Sequence, residues 1–565
     1  MPRTVVLLLM GFVGLSPVRG QEPVVWVASP WQHVLRDSKP GGAASVEITA
    51  ARHEYEPLRV IIRAGARALT KVRVEASALT GPNGRIEADN VILFREHYIH
   101  VFQPSPSSNA ASGWYPDALI PLAGGNAAAR FPASAERVES GVNQGFWVDV
   151  YVPRDTAPGD YAGKITALAD NVPLGEVSVK VRVQPFTLPD SMAMRSNFGS
   201  LGSGLARRLG MDAGSPEFAA VEDQYIDTLL NHRAIPSSLG DIWPQWSPDK
   251  GIDDSRSGER LRMMVEKRHV NSLCVPFAHQ SEPEKCRAYL HDMGTYLRGK
   301  GWLELAYIYM EDEPNDAEQY ETVRRQGALI RESGIKRLCT EQTVASKSEW
   351  GSLYGAVDIW CPLWCLYDES TARERQQLGE EIWTYTALCQ GNGKAPFWQI
   401  DLAPVHFRAP FWVNWHYGAK GFLYWSSIYW GKEQDPWTAP HFRERYWGEG
   451  MLLYPGKDAG VSGPVPSIRL KLIREAMEDF EYMTLAARQG RQSQVDEIVG
   501  SLVRSFSDWN QDPAAYAAAR EKLVPYSATR DVLHARADGG GTQRSRGAWQ
   551  ATAENLRGSF KTELL

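Results

Sequence analysis

The sequence predicts an N-terminal antiparallel β-sandwich followed by a (β/α)₈ TIM barrel and a short C-terminal helical segment, a multidomain α/β chain with an all-β front. Apolar and polar residues alternate with period two over the first part of the chain, as is typical of strands with one buried face. Further along, short apolar runs alternate with helical stretches, as is typical of parallel strands joined by helices. The 565 residues are 43% hydrophobic and 23% charged, so the chain can bury a large core.

The first 20 residues have the pattern of a secretory signal peptide. Arg3 precedes the 12-residue apolar run Thr4–Leu15, and Val18–Gly20 fits a cleavage site before Gln21. This run is too short to span a bilayer comfortably, and no later apolar run in the sequence reaches 18 residues. We therefore expect a periplasmic or extracellular protein without a membrane span. The net charge of −6 argues against a nucleic-acid partner.

Residues 21–185 form the predicted sandwich. The run 177–183 alternates valine with polar residues, and the run 72–78 alternates in the same way. Turn sequences such as Thr80–Gly84 and Ala157–Asp160 separate the candidate strands. Pro185–Asp190 breaks the pattern and is the predicted linker to the next domain.

Residues 190–460 form the predicted barrel, because eight apolar runs with intervening helical stretches fit the (β/α)₈ order. The candidate strands are Met194–Phe198, Ala234–Leu239, Ser272–Phe277, Leu305–Met310, Arg337–Thr343, Val357–Pro362, Ile382–Ala387 and Gly421–Trp425. Pro396–Asp401 is a ninth candidate. The sequence leaves open whether this run or Ile382–Ala387 is the seventh strand.

Residues 461–527 form the predicted helical segment, and residues 528–565 form a polar, flexible tail. The first helix of the segment is capped by Ser467 and carries an apolar face that ends near Gly490. Glu478, Asp479 and Glu481 are predicted to lie on its solvent-exposed face.

Six cysteines are too few for a disulfide scaffold in an exported chain of this length. Cys361 and Cys365 are separated by three residues, not by the two usual for zinc, and no second pair with histidine follows. We therefore predict no metal site and no cofactor. A disulfide and buried free thiols remain as alternatives.

Three adjacent acids, Glu311, Asp312 and Glu313, follow the fourth candidate strand. Barrel enzymes carry their catalytic groups at this end of the strands. Crowded carboxylates raise one another's pKa, which suits a general acid at neutral pH. The alternative is a solvated acidic loop in which Asp316 caps the following helix.

Polar and aromatic residues at other strand ends predict a sugar site at the mouth of the barrel. The chain has twenty tryptophans, eleven of them within residues 350–447, and an indole face suits stacking on a sugar ring. For any single tryptophan, core packing is the alternative. The predicted substrate-binding residues are His279, Glu341, Trp364, Tyr385, Asp401, Trp425 and Trp430.

Seven short blocks occur in a specific order: Ile48–Pro57, Ala157–Gly163, Tyr307–Pro314, Trp383–Tyr385, Gly421–Trp425, Leu453–Gly456 and Pro466–Leu470. In order and spacing they resemble the glycoside hydrolase family 123 group, with the relatives catalogued as domain of unknown function 4091. The resemblance runs from about residue 24 to residue 485. It implies the same sandwich and (β/α)₈ barrel as the periodicity.

The resemblance implies a retaining β-N-acetylhexosaminidase, with N-acetylgalactosamine as the first expected sugar. Family members of known activity use an adjacent Asp-Glu pair, which matches Asp312 and Glu313, and the 2-acetamido oxygen of the sugar is their nucleophile. Glu313 would be the acid/base, and Asp312 would accept from the acetamido N–H. Consecutive side chains diverge in a regular strand, so we expect the pair where the strand frays into the loop. The resemblance assigns no role to Glu311.

Two other interpretations remain open. A glycosidase for a different sugar would use Glu313 with a second carboxylate, either Asp401 or Glu341. A non-catalytic carbohydrate-binding protein would share only the fold. In each case the expected partner is a carbohydrate, and the sequence does not indicate the oligomeric state.

Overall fold

The computed structural model describes residues 22–106, 108–124, 126–340, 349–388, 395–431 and 434–527. The predicted signal peptide, the predicted tail and Glu341 lie outside these residues. Within the described ranges, no helix combines the length and the apolar character that crossing a membrane requires.

The alternating front of the chain forms two facing β-sheets. Their strands are β1 (Val24–Ala28), β2 (Ser45–Arg52), β3 (Glu54–Arg63), β4 (Leu69–Ala76), β5 (Leu79–Gly81), β6 (Gly84–Ile86), β7 (Val91–Val101), β8 (Gly113–Pro121), β9 (Ala135–Val138), β10 (Asn143–Val152), β11 (Gly159–Ala169) and β12 (Val172–Thr187). One sheet has the order β1-β3-β10-β7-β8, and the other has β2-β12-β11-β4-β9 with β5 and β6 beside β11.

Period-two burial holds these two sheets together. Val177, Val179 and Val181 are buried, whereas the polar residues between them point outward. They pack in one apolar cluster with residues of the facing sheet, among them Val60 and Phe146. The pairs are antiparallel, as predicted, except that β2 runs parallel to β12.

The middle of the chain contains a parallel sheet. The strands in this part are β13 (Arg195–Asn197), β14 (Gln245–Ser247), β15 (Gly251–Asp253), β16 (Leu273–Cys274), β17 (Ala306–Asp312), β18 (Lys336–Thr340), β19 (Ile359–Trp360), β20 (Glu381–Tyr385) and β21 (Gly421–Leu423). Among the described residues, seven of them form one sheet in the order β13-β21-β20-β19-β18-β17-β16, and β14 and β15 form a separate hairpin.

Among the described residues the parallel sheet curls, but its seven strands do not close into an eight-stranded barrel. Asn197 of β13 reaches the Tyr307 hydroxyl of β17 at 3.0 Å, although four strands lie between β13 and β17 in the sheet order. The second candidate strand, Ala234–Leu239, is not a strand of the sheet. Its backbone bonds to the residues that follow β13, since Phe198 N donates to Ile235 O at 2.8 Å and Ser237 N donates to Gly199 O at 2.9 Å. The seventh strand is the one predicted as Ile382–Ala387, since β20 pairs in the sheet and Pro396–Asp401 does not.

Helices cover the sheet and fill the C-terminal region. They are α1 (Gly202–Leu209), α2 (Pro216–Asn231), α3 (Gly258–Glu266), α4 (Pro283–Lys300), α5 (Ala317–Ile330), α6 (Glu369–Gln377), α7 (Val405–His416), α8 (Ile468–Ala486), α9 (Gln492–Gly500) and α10 (Pro513–Ser527). Short hairpins complete the fold, with strands β22 (His441–Phe442), β23 (Tyr446–Trp447), β24 (Leu453–Tyr454), β25 (Val465–Pro466), β26 (Val503–Ser505) and β27 (Asp508–Trp509). Ser467 caps α8 by accepting from Leu470 N, as predicted.

Among the cysteines in the described residues, Cys274, Cys286, Cys361 and Cys365 are free thiols. Cys389 lies outside these residues. Cys361, which is buried, and Cys365, which is exposed, are both free, so this closely spaced pair is not bridged.

The prediction that one face of α8 is solvated is wrong. Glu478, Asp479 and Glu481 are 1%, 0% and 2% exposed. Asp479 accepts from Arg408 Nε at 2.6 Å, and Glu481 accepts from Ala193 N at 2.7 Å. The helix is enclosed on all sides because other elements of the chain cover its polar face.

Cations of α8 pair with carboxylates of the sandwich. Lys471 Nζ and Arg474 Nη2 lie 2.6 and 3.0 Å from the two carboxylate oxygens of Asp149. Arg469 donates to both carboxylate oxygens of Asp117 at 2.8 Å. Burial raises the pKa of Asp149, but the charges of Arg474 and Lys471 outweigh burial and hold the pKa below its usual value. Asp149 is therefore the charged partner that two buried cations need.

We expect Asp149→Asn to lower the free energy of unfolding by about 3–5 kcal/mol, because it leaves the buried Lys471 without its counter-charge and leaves Arg474 with Glu475 alone. Denaturant unfolding followed by circular dichroism measures the change. The control is Glu176→Gln, which breaks the exposed pair of Glu176 with Lys164 and should cost less than about 1 kcal/mol. Equal effects of the two substitutions would contradict the structural role of Asp149.

Candidate active site

A cavity of about 790 Å³ opens at the carboxyl ends of the parallel strands. Its walls come from the ends of β13, β16, β17, β18, β20 and β21, and from the β22–β23 hairpin. Asp312 and Glu313 both line it. The carboxyl ends of strands carry the functional groups in parallel α/β folds, so this cavity is the expected position for a site.

An irregularity at the end of β17 brings the two consecutive carboxylates to one cavity. The pairing of β17 with β18 shifts register between Tyr309 and Asp312. Glu313 then adopts a left-handed backbone, with φ of 47°. In a regular strand the two side chains would point to opposite faces. The pair thus lies where the strand becomes irregular, as the sequence predicted.

Thr340, at the end of β18, holds both residues of the pair. Glu313 N donates to Thr340 O and to Thr340 Oγ1, each at 3.0 Å. Thr340 Oγ1 lies 3.0 Å from Asp312 Oδ1. These bonds fix the left-handed residue, whose conformation would otherwise cost about 1–2 kcal/mol.

Each carboxylate also accepts from a tyrosine hydroxyl. Tyr309 OH donates to Asp312 Oδ1 at 2.8 Å, and Tyr385 OH donates to Glu313 Oε1. Burial, and then the charge of Asp312, raise the pKa of Tyr309 well above its usual value. Tyr309 therefore keeps its proton at neutral pH and remains a donor to Asp312.

Glu311, the third acid of the run, does not line the cavity. Burial raises the pKa of Glu311, and the charges of Asp312 and Asp316 add to the effect. Asp316 caps α5 by accepting from Gln319 N at 2.8 Å. Asp312 and Glu313 thus line the cavity, whereas Glu311 does not.

Tyr385 and Trp425, two of the predicted substrate-binding residues, line the cavity. Trp425 Nε1 donates to Glu449 Oε1 at 2.8 Å, which fixes the indole. The indole ring lies 5.7 Å from the ring of Phe442, another lining residue. This wall combines aromatic faces with nearby carboxylates, an arrangement that can bind a sugar.

Residues 241–486 match the model of the glycoside hydrolase 123 catalytic domain. This match identifies residues 241–486 as a glycoside hydrolase family 123 catalytic domain. The protein is a glycoside hydrolase, and its substrates are carbohydrates.

The hydrolase also resembles solved structures. A family 123 glycoside hydrolase from Clostridium perfringens, studied for glycolipid glycan hydrolysis, aligns with a TM-score of 0.66 and 14% identity over 91% of this chain and 99% of that one. This likeness shows a shared fold. A family 39 glycoside hydrolase from Bacteroides cellulosilyticus aligns with a TM-score of only 0.30 and 9% identity, over 77% of this chain and 82% of that one. No curated protein matches the sequence.

Four predicted substrate-binding residues of the hydrolase lie away from the cavity. Trp364 is 2% exposed and donates to Phe506 O, and Trp430 is 6% exposed and donates to Leu453 O. Asp401 is 2% exposed and bonds to the sandwich. His279 packs its ring against those of Trp246 and Tyr289. Position after an apolar run in the sequence therefore did not decide the direction of the side chain.

Several lining residues of the hydrolase were not among the predicted ones. Asn197 and Thr340 end β13 and β18 and lie near the ends of the candidate strands Met194–Phe198 and Arg337–Thr343, so the same strand-end rule could have found them. Phe442, Arg443 and Tyr446 come from the β22–β23 hairpin, for which the sequence shows no strand pattern. Ser200 and Ser237 add hydroxyl groups to the wall.

The left-handed backbone of Glu313 predicts that glycine at this position is more stable than alanine. We expect Glu313→Gly to be more stable than Glu313→Ala by about 1 kcal/mol, because only glycine adopts this conformation without strain. Both variants lack the carboxylate, so the difference isolates the backbone. Thermal and denaturant unfolding measure it. An alanine variant as stable as the glycine variant would show that residue 313 is not left-handed.

The same substitution at Trp425, which lines the cavity, and at Trp364, which is buried away from it, tests the role of the aromatic wall. Trp425→Ala should raise KM with little change in melting temperature, because it removes a surface for the sugar. Trp364→Ala should lower the free energy of unfolding by about 3–5 kcal/mol and leave the affinity of the folded enzyme unchanged. Steady-state kinetics and calorimetry distinguish the two. A normal KM for a folded Trp425→Ala enzyme would remove Trp425 from the site.

Proposed function

We propose that the hydrolase cleaves terminal β-linked N-acetylhexosamine, with N-acetylgalactosamine first, by a retaining, substrate-assisted mechanism through an oxazolinium intermediate. The observation that supports it is the convergence of Asp312 and Glu313 on one cavity. Among the described residues that line the cavity, these two are the carboxylates. A mechanism in which the substrate supplies the nucleophile needs no further one from the enzyme.

Glu313 is the proposed acid/base. In the first step the 2-acetamido carbonyl oxygen attacks the anomeric carbon, the glycosidic C–O bond breaks, and Glu313 gives its proton to the leaving oxygen. In the second step Glu313 takes a proton from the attacking water, and the oxazolinium ring opens. The Tyr385 hydroxyl donates to Glu313 Oε1 and so positions the carboxyl group for both transfers.

Asp312 is the proposed partner of the acetamido group. One of its oxygens is occupied by Tyr309 and Thr340, which leaves the other to accept from the acetamido N–H. The negative charge of Asp312 then offsets the positive charge that develops on the oxazolinium ring. A cavity of about 790 Å³ has room for the sugar and part of its leaving group.

A second candidate is a glycosidase for another sugar, with Glu341 as the partner of Glu313. Thr340, which precedes Glu341, lines the cavity and supports this alternative. Asp401 is the weaker partner, because its carboxylate is buried and bonded to Ser105 outside the cavity.

Three broader proposals concern the whole chain. Residues 1–20 direct export to the periplasm or the cell exterior. The units are the sandwich at 21–185, the barrel at 190–460, the helical segment at 461–527 and the tail at 528–565. Ala234–Leu239 takes the second position of an eight-part barrel, supported by its bonds to the end of β13 and by Ser237 in the cavity wall.

Aryl β-glycosides with and without a 2-acetamido group test the proposal, together with two isosteric variants. Glu313→Gln should lower the rate by ~10²–10⁴-fold with a poor leaving group, because the transferable proton is gone. An activated leaving group should restore its first step. Asp312→Asn should not be restored in this way, since it loses the charge that offsets the oxazolinium ring.

A thiazoline analogue of the intermediate provides the decisive comparison. It should inhibit the wild type strongly and Asp312→Asn poorly. If it inhibits neither, and a fluorosugar labels a carboxylate covalently, the two-carboxylate mechanism replaces substrate assistance.

A further inference from the structure

The β22–β23 hairpin lies between the cavity and the sandwich. Phe442, Arg443 and Tyr446 of the hairpin line the cavity. The next residue, Trp447, is 1% exposed and contacts the sandwich instead. Its Nε1 donates to Gln103 O at 2.7 Å, and its ring packs edge-on against Phe102, 5.0 Å between centroids. The outer side of this wall therefore rests on the segment that joins β7 to β8.

Ser105, in the segment between β7 and β8, bonds to both Asp401 and Trp447. Its backbone N and its Oγ donate to the two carboxylate oxygens of Asp401, at 2.7 and 2.6 Å. The same Oγ accepts from Trp447 N at 3.2 Å. Ser105 and Asp401 are 1% and 2% exposed. Hydrogen bonds to a charged group that is shielded from water are among the stronger ones in proteins.

Further hydrogen bonds strengthen the contact of Ser105 with Asp401 and Trp447, which we call the anchor of the hairpin. Ile400 N donates to Trp447 O at 2.9 Å, and Ser108 Oγ donates to Asp401 O at 2.9 Å. Each strand of the hairpin has only two residues. A hairpin this short is not stable by itself, so its position depends on what it is bonded to.

We propose that Ser105, a residue of the sandwich, is a positioning residue of the active site: through Asp401 and Trp447 it holds the hairpin that forms one wall of the cavity. The sandwich thereby contributes to substrate binding without touching the substrate. This inference rests on the proposed function, because it assigns the hairpin wall to the binding of the substrate.

The test is Ser105→Ala, which removes the hydroxyl and leaves one oxygen of Asp401 and the N–H of Trp447 without this partner. KM for an aryl glycoside should rise roughly tenfold while kcat stays within about twofold, since the loss corresponds to one bond to a charged group. Amide hydrogen exchange over residues 441–447 should become faster. Ser108→Ala, which removes one bond from the same anchor, should change both quantities in the same direction by less.

The control is Arg154→Ala. Arg154 pairs the sandwich with Asp190 at 2.5 Å, beside a different cavity that includes Arg268 and His269. This variant should leave KM and the exchange of residues 441–447 at their wild-type values.

The outcomes separate this inference from the proposed function. If the wild type is active and Ser105→Ala changes neither KM nor exchange, or lowers kcat alone, the anchor is overturned. If the wild type cleaves only sugars without a 2-acetamido group, the proposed function fails. The same measurements with such a sugar still test whether Ser105 positions the hairpin. A control that behaves like Ser105→Ala would also overturn it, because the effect would then be general to contacts of the sandwich.

Discussion

The ion pairs between α8 and the sandwich are the constraint on which the arrangement of the whole chain depends. Removing a charge from water costs several kcal/mol, so a buried cation is tolerated only beside its partner. Lys471 and Arg474 have Asp149 as that partner, and Arg469 has Asp117. Arg469 also donates to Gly448 O at 2.7 Å and to Trp398 O at 3.0 Å. The side chain of Arg469 therefore connects α8 to the sandwich and to the region just after the β22–β23 hairpin.

The catalytic end of β17 shows how the fold keeps an unfavourable local conformation. The register shift and the left-handed Glu313 would not persist in an isolated strand, because each costs free energy. Thr340 offsets this cost through bonds to the backbone of Glu313 and to the side chain of Asp312. The same hydroxyl thus serves both residues, and their relative position follows from one neighbour on β18.

The sequence predicted local features well and distant partners poorly. The strands β17, β18, β20 and β21 follow from apolar runs, and the position of Asp312 and Glu313 follows from the rule that sites lie at strand ends. The face of α8 was mispredicted because the groups that bond to its acids, such as Arg408 and Ala193, lie 71 and 288 residues earlier in the chain.

Trp364 and Asp401 show the same limit within the predicted site. Each follows an apolar run, yet Trp364 packs on Phe506 and Asp401 bonds to Ser105. A local pattern indicates that a strand ends, but it does not indicate which distant segment then covers the next side chain. Tyr385, at the end of β20, and Trp425, just after β21, do line the cavity at the strand ends.

The burial of α8 restricts which domains can recombine with the catalytic region of this protein. The region that matches the family, residues 241–486, contains α8 with its cations but neither Asp117 nor Asp149, and it begins after β13. The stretch that carries the family signature is therefore not a complete structural unit. A recombination event that joined this stretch to an unrelated neighbour would separate Lys471 and Arg469 from their acids and would leave Arg474 with Glu475 alone. Exchange of domains between relatives is thus restricted to partners that bring matching carboxylates, and the two parts must change together over evolutionary time.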